Sequence, residues 1–345
     1  MKRKRFCIGV GGTGGHIIPG IALAERAKEK GVNVLIVGRR GSMEERLVKE
    51  SGLDFLGYPY FTRSIFSLPG QLMALVWCLI FLHRAEVSKV LACGSYATLP
   101  LILASIILRR ALFLLEQNRI PGRMIKLFAP FAQYVFFGFA PGGKVKCRVK
   151  FTGNPIRKGI KAMKEIKEKR PSAPQVQPIL VLGGSQGARF LSQYFKEVAR
   201  KFPGEKFLIQ VRSEDQEKIA QDSPDNCQFF VFTMEIERLL AEAKLVISRA
   251  GGSSLSEILF LGIPAILVPY PYATQDHQLI NAKTIEGSGG CLVLEEKELK
   301  THSQKVEEIL GEIIRDEKKR KEMAKRARDL SKDGTEEILV TMEVI

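Results

Sequence analysis

A short apolar run, a glycine-rich loop and a helical stretch follow one another at two places in this chain, near the N-terminus and again just past the middle. The first copy is Phe6-Cys7-Ile8-Gly9-Val10, then Gly11-Gly12-Thr13-Gly14-Gly15-His16, then Pro19 to Lys30 with Ile21, Leu23, Ala24 and Ala27 as its apolar positions. Gly31 is placed to cap that helix, and Val32 to Gly38 reads as the next strand. The second copy is Ile179 to Leu182, Gly183-Gly184-Ser185-Gln186-Gly187-Ala188, a helix from Arg189 to Phe202, and a strand over Phe207 to Val211. Each is a βαβ unit. Val90 to Cys93, Ala111 to Leu115, Tyr134 to Phe137, Leu245 to Ser248 and Ala265 to Pro269 are further strands. Strands this uniformly apolar, alternating with helices, belong to parallel sheets covered on both faces. A length of 345 residues suits two such domains. The expected architecture is α/β, with two Rossmann-like parallel-sheet domains. Lys158 to Gln177, lysine-rich and containing Pro171 and Pro174, reads as a charged helix and an interdomain linker. It ends a first domain at 157.

Charge limits the partners. The formal net charge is +16, which points to an anion: nucleic acid, an anionic membrane or a phosphorylated substrate. Six scattered cysteines without C-x-x-C spacing indicate neither a zinc site nor a disulfide framework. Met1 to Arg5 has the charge of a signal peptide's start, but the glycine loop follows too soon for an export signal. Ser64 to Leu82 and Leu99 to Leu115 are apolar but too short or interrupted to span a bilayer, and read as buried helix or strand. The stretch 119–139 admits two readings. Arg119, Arg123 and Lys126 beside Leu127, Phe128 and Phe131 suit an interfacial membrane contact, while a core helix followed by a strand has the same pattern. Lys297 to Lys332 interleaves both charge signs and reads as a solvated helical face.

In open parallel sheets, ligands bind beyond the carboxyl ends of the strands. The loops at 11–16, 94–96 and 116–118 would line one wall of a cleft, and those at 183–187, 248–257 and 275–281 the other. Both glycine loops open helices, where backbone N–H groups and the helix dipole favour a diphosphate; packing alone also produces such loops. No Gly-Lys-Ser/Thr follows either loop, so neither is a Walker loop. Gly9-Val10-Gly11 begins a dinucleotide fingerprint, but Gly38-Arg39-Arg40 stands where an acid would hold NAD; NADP is not excluded. In Ser248-Arg249-Ala250-Gly251-Gly252-Ser253-Ser254-Leu255-Ser256-Glu257, a turn caps a helix. Glu257 could accept hydrogen bonds from ribose hydroxyls, or simply favour the helix dipole. His16 could take a proton from an attacking hydroxyl, or pack against the loop. There is no Asp-x-Asp motif, so no metal–diphosphate clamp and no cofactor are expected, and leaving-group charge falls to helix N-termini and Arg or Lys.

These motifs together resemble the MurG family, the bacterial transferases that add N-acetylglucosamine to undecaprenyl-diphospho-N-acetylmuramoyl-pentapeptide. The resemblance covers nearly the whole chain. It rests on Gly11 to His16 with Pro19, Glu116-Gln117-Asn118, Thr152-Gly153-Asn154-Pro155-Ile156-Arg157, Gly183 to Ala188, Ser248 to Glu257, and Asp276-His277-Gln278 with Asn281-Ala282. It implies a GT-B glycosyltransferase of family 28, inverting, with UDP-N-acetylglucosamine as donor substrate and the lipid-linked muramoyl-pentapeptide as acceptor. The first domain would serve acceptor and membrane, joined by 335–345 crossing back; the second, 158–334, would bind the donor. By the family pattern the donor meets Thr13, Gly14, Gly15, Asn118, Arg157, Ser185, Thr233, the turn Gly252, Ser253, Ser254, Leu255, Ser256 and Glu257, and Gln278. Glu257 would hold the ribose, Ser185 the diphosphate and Gln278 the sugar, with uracil near Phe232 and Thr233. Gly11 to Gly15 and Tyr96 would take the acceptor diphosphate, and His16 is the expected general base. The family often has His where this chain has Leu115, and its turn before tyrosine reads Cys93-Gly94-Ser95-Tyr96 here. A peripheral place on the cytoplasmic face of the inner membrane follows, with an anionic lipid surface and other wall-synthesis proteins as partners. Two other classes compete: a nucleotide-dependent oxidoreductase, whose fingerprint is imperfect, and a nucleic-acid-binding protein, for which no recognition motif is present.

Overall fold

The computed structural model describes residues 5–59, 68–169, 177–185 and 187–345. The chain forms two units: the residues up to Lys158 together with Lys332–Ile345, and Gly159–Ser331. The return to the first unit comes at Ser331/Lys332 rather than at 334/335. Lys332 to Gly334 are already packed on the Thr-Gly-Asn turn, where Asn154 pairs with Asp333 in a parallel bridge. Gly153, at φ +82°, lies so close to the Lys332 carbonyl that a Cβ would stand 2.1 Å from it. The linker expected before Gln177 falls, over 170–176, outside the described residues; the helix before it is Lys158–Lys169.

Among the described residues the first unit holds seven strands: β1 (Arg5–Gly9), β2 (Val34–Arg39), β3 (Phe55–Tyr58), β4 (Val87–Ala92), β5 (Ala111–Glu116), β6 (Tyr134–Phe137) and β7 (Val149–Phe151). They pair in the order β3-β2-β1-β4-β5-β6-β7, all parallel. The chain reverses its direction of travel between β1 and β4, so this is the switch point at which parallel sheets bind ligands. Right-handed crossovers place helices from the two directions on opposite faces. Helices Leu68–Arg84, Leu99–Ile107 and Arg123–Phe128 accordingly share one apolar cluster with Cys7, Val90, Leu112 and Val135.

The first helix runs over Gly14–Glu29. Its start lies five residues before Pro19, because the last two glycines of the loop form its first turn. Pro19 therefore sits inside the helix, a placement that costs about 3 kcal/mol when nothing offsets it. The helix ends in a Schellman motif: Gly31 N–H donates to Lys28 O at 2.9 Å and Val32 N–H to Ala27 O at 2.9 Å. That motif uses Val32, so β2 begins at Val34. The C-terminal helix Thr335–Thr341 returns to this region, where Arg26 pairs with Glu336 and Lys89 Nζ donates to the Glu343 carbonyl at 3.0 Å.

One expectation is corrected here. The apolar segment ending at Leu82 is not buried throughout. Helix Leu68–Arg84 covers Gly70, Ala74, Cys78 and Leu82 against the sheet, but Leu72, Val76 and Ile80 are 53%, 53% and 49% exposed. A single-sided contact covers only every third or fourth residue, so an apolar helix laid on one surface keeps an apolar outer face. Residues 64–67 of the segment lie outside the described residues. Leu99–Leu115 divides into a helix, a turn at Arg109–Arg110 and β5. Among the described residues no helix is long and apolar enough to cross a membrane.

Among the described residues the second unit has six parallel strands: β8 (Ile179–Leu182), β9 (Phe207–Gln210), β10 (Cys227–Phe230), β11 (Leu245–Ser248), β12 (Ala265–Leu267) and β13 (Leu292–Val293). Their order is β10-β9-β8-β11-β12-β13, with the switch point between β8 and β11. The charged C-terminal stretch is three helices, Glu296–Thr301, Ser303–Arg315 and Glu317–Leu330. They are not wholly solvated, because Val306, Leu310, Ile313 and Met323 join the core of this sheet.

Candidate active site

In the first unit the loops after β1 and β4 meet at the switch point. Gly11 is buried so tightly that a Cβ would stand 2.3 Å from the Ala97 Cβ. Gly12 has φ +86° and a Cβ there would meet Ser95 Oγ at 2.6 Å. Ser95 itself holds φ +74°, a conformation that costs a non-glycine residue about 1–3 kcal/mol. These contacts present His16 beside the loop after β5. His16 Nδ1 lies 2.8 Å from Gln117 Oε1. Gly94, at φ +63°, closes over the ring, with a virtual Cβ 3.1 Å from His16 Nδ1, so glycine is favoured there. Glu116, buried, ties down the following turn: one carboxylate oxygen accepts from the backbone and side-chain N–H groups of Asn118, and the other from Gly122 N–H at 2.7 Å.

In the second unit the loop after β8 is held by side chains. Gln210, buried at the end of β9, accepts from Gly183 N–H at 2.9 Å and donates to Gly184 O at 3.1 Å. Asp215 accepts from Arg189 Nε at 3.0 Å and Arg212 Nε at 2.7 Å. These two guanidiniums hold its carboxyl down at about 2. Arg212 packs against Gly187, where a Cβ would lie 2.5 Å from its Cγ. After β11 the turn leads into helix Gly252–Leu261, capped by Gly251. Glu257 is its sixth residue and 6% exposed. Dipole stabilisation fades beyond the first turn, so that explanation of Glu257 loses its footing.

Gln278 and Asn281 fix the same turn from below. Gln278 Oε1 accepts from Ala250 N–H at 3.2 Å and Tyr270 N–H at 3.0 Å, and Asn281 Nδ2 donates to Ala250 O at 3.3 Å. Arg249, 8% exposed, donates to the Val268 and Pro269 carbonyls and pairs with Glu296 at 2.8 Å. The turn thus hangs on a polar frame that reaches the loop after β12.

The predicted residues divide clearly. Thr13 caps the first helix and is exposed, with Gly14 and Gly15 following. Tyr96 is exposed in a short turn beside Ser95, and Asn118 is half-buried. Arg157 is buried in the first unit, where its charge counteracts the burial that raises the Glu25 carboxyl. Ser185 and Thr233 are half-buried, and Thr233 Oγ1 accepts from Glu235 N–H. Ser253 is buried, Ser254 half-buried, and Ser256 donates to Gly252 O at 2.9 Å. Leu255 presents no side chain: it is wholly buried, and its N–H is bonded to Gly251 O. Leu115, the departure at the end of β5, is also wholly buried. Gln186 lies outside the described residues. Sequence reasoning missed Gln210, Arg249 and the Gln117–His16 contact, since each joins residues distant along the chain. The only local hint was a polar residue at the end of an apolar strand.

The glycosyltransferase family 28 N-terminal domain matches residues 6–137 and the family 28 C-terminal domain matches residues 178–338. The chain is 32% identical to the UDP-N-acetylglucosamine–N-acetylmuramyl-(pentapeptide) pyrophosphoryl-undecaprenol N-acetylglucosamine transferase of Halothermothrix orenii, over 96% of each protein. It is 31% identical to the transferase of the same name from Fusobacterium nucleatum, over 99% of each. The crystal structure of Acinetobacter baumannii MurG superposes with a TM-score of 0.74 at 23% identity, over 99% of this chain and 100% of that one.

Proposed function

The chain belongs to glycosyltransferase family 28 and, within it, to the UDP-N-acetylglucosamine–N-acetylmuramyl-(pentapeptide) pyrophosphoryl-undecaprenol N-acetylglucosamine transferases, and from that premise we propose how its residues carry the transfer. The enzyme moves N-acetylglucosamine from UDP-N-acetylglucosamine to the lipid-linked muramoyl-pentapeptide. The full-length match to these transferases carries this reading and displaces the oxidoreductase and nucleic-acid readings. In the proposed mechanism the acceptor C4 hydroxyl attacks the anomeric carbon with inversion. His16 takes its proton, the anomeric C–O bond breaks, and the electron pair leaves on UDP. Glu257, desolvated in the second helical turn, accepts from both ribose hydroxyls. Gln278 offers its amide N–H to the sugar, its carbonyl being bonded to Ala250 and Tyr270. Ser185 and the N-terminus of helix Arg189–Ala199 meet the leaving diphosphate. Gly14 and Gly15, opening helix Gly14–Glu29, meet the acceptor diphosphate. No metal or cofactor is proposed, because the sequence has no paired aspartates to clamp one on a diphosphate.

The membrane contact is also proposed. Leu72, Val76 and Ile80 form an exposed apolar row on a helix of the first unit, and Leu127 and Phe131 stand exposed beside Arg123 and Lys126. Half-burying three such side chains in lipid contributes about 1 kcal/mol each. Each nearby Lys or Arg adds about 1 kcal/mol on an anionic leaflet. Of the two readings of 119–139, burial of β6 and of Met124, Ile125 and Phe128 supports the core one, and the exposed apolar and basic side chains of the same helix support a lipid contact beside it. Release of UDP from UDP-N-acetylglucosamine tests the function. It should require a short-chain lipid-linked muramoyl-pentapeptide. Folded protein that neither releases UDP nor binds the UDP-sugar would contradict the assignment.

A further inference from the structure

Gln117 has no assigned part in the transfer, yet its carboxamide is constrained at both ends. Its side chain is 2% exposed. Nε2 lies 3.4 Å from the Cys93 carbonyl and 3.4 Å from the Leu115 carbonyl. Turned over, the amide would set its oxygen against two carbonyl oxygens, so this orientation is chemically determined. Its backbone is held too: Asn154 Nδ2 donates to the Gln117 carbonyl at 2.9 Å. Asn154 fits there because Gly138 has no side chain; a Cβ would stand 2.2 Å from the Asn154 amide. Gln117 Oε1 therefore faces His16 Nδ1 as a fixed acceptor, at 2.8 Å. A carboxamide oxygen carries no hydrogen, so Nδ1 must donate. In neutral imidazole the lone pair is then on Nε2.

We propose that Gln117 is a positioning residue for proton transfer. By accepting the Nδ1–H of His16 it confines the imidazole to the tautomer whose Nε2 takes the proton of the acceptor's C4 hydroxyl. The oxygen left behind bonds the anomeric carbon as UDP departs with the C–O electron pair, so the proton ends on Nε2. This deepens the reading of His16 as the base and rests on it. The glycines around the ring and the Thr-Gly-Asn turn become one assembly that orients a base.

The test uses the full-length enzyme. ¹H–¹⁵N spectra of the imidazoles, with the His16 signal assigned by its loss in His16→Ala, should show Nδ1 protonated and Nε2 bare at neutral pH. In Gln117→Met that preference should disappear and kcat should fall roughly 10²-fold, the usual worth of a positioned base, with the KM for UDP-N-acetylglucosamine within twofold. Gln117→Glu restores an acceptor for Nδ1–H. It should recover kcat at least tenfold over Gln117→Met and move the acid limb of the kcat profile to higher pH, because a carboxylate favours the imidazolium. A wild-type His16 protonated at Nε2, or a Gln117→Met enzyme with unchanged tautomer and kcat, would overturn the proposal. Full kcat in His16→Ala would instead remove the base assignment, whatever tautomer Gln117 holds.

Discussion

In the first unit the backbone of the glycine loop is packed against small side chains of the loop after β4, Gly11 on the Ala97 Cβ and Gly12 on the Ser95 Oγ. In the second unit the corresponding loop is gripped by side chains, Gln210 on Gly183 and Gly184, and the Arg189–Asp215–Arg212 fork beside Gly187. The two loops begin from the same strand–glycine–helix pattern. The close-packed one leaves room for an imidazole and fixes its direction. The other is framed by the polar side chains of Gln210, Arg189, Arg212 and Asp215. In the proposed mechanism one local pattern thus serves proton transfer in one unit and nucleotide binding in the other, and the surrounding contacts set the difference.

The largest effect should come from Glu257→Ala, which would remove the two charge-assisted hydrogen bonds proposed to ribose and should cost about 3 kcal/mol of donor binding. Calorimetry with UDP-N-acetylglucosamine checks it, and an unchanged affinity would detach the second unit's turn from the donor. Arg249→Met breaks a buried pair and should lower stability by about 3 kcal/mol in denaturant titration, the low end of such losses because Lys300 remains 3.0 Å from Glu296. It should weaken the donor as well, since the turn loses its frame. Replacing Leu72, Val76 and Ile80 together by Ser should weaken binding to anionic vesicles by about 2–3 kcal/mol. Turnover with a water-soluble acceptor should stay as it was. The smallest effect concerns pH. Asp215 is held at about 2, below its unfolded range, so its contribution is present above that range and is lost only as pH falls through about 2. Donor affinity should therefore be flat from pH 5 to 8. Turnover should fall on the acid side, because a protonated imidazole takes no proton.

Much of this was legible in the residues. Strand ends were visible to within a residue because apolar runs stop at glycine, serine or a polar residue: Ser248 ends β11 as read, the run read to Val10 ends at Gly9, and the run read to Leu115 continues to Glu116. Element starts were less so. Pro19 marks a typical first turn, yet Gly14 and Gly15 had already begun the helix. The outer face of Leu68–Arg84 was hidden because an all-apolar run does not say which side is covered. The frame around the site was hidden for another reason. Gln117 finds His16 from 101 residues away and Gln278 finds Ala250 from 28. Such side-chain bonds depend on strand order, which local pattern does not encode.

The division of labour between the units is tested most directly by measuring UDP-N-acetylglucosamine affinity and acceptor-dependent UDP release on the same preparation of His16→Ala. The account predicts a donor Kd within about twofold of wild type and turnover reduced by roughly 10²–10⁴-fold, the span of a lost general base. Loss of donor affinity in parallel with turnover, or turnover that survives, would contradict it.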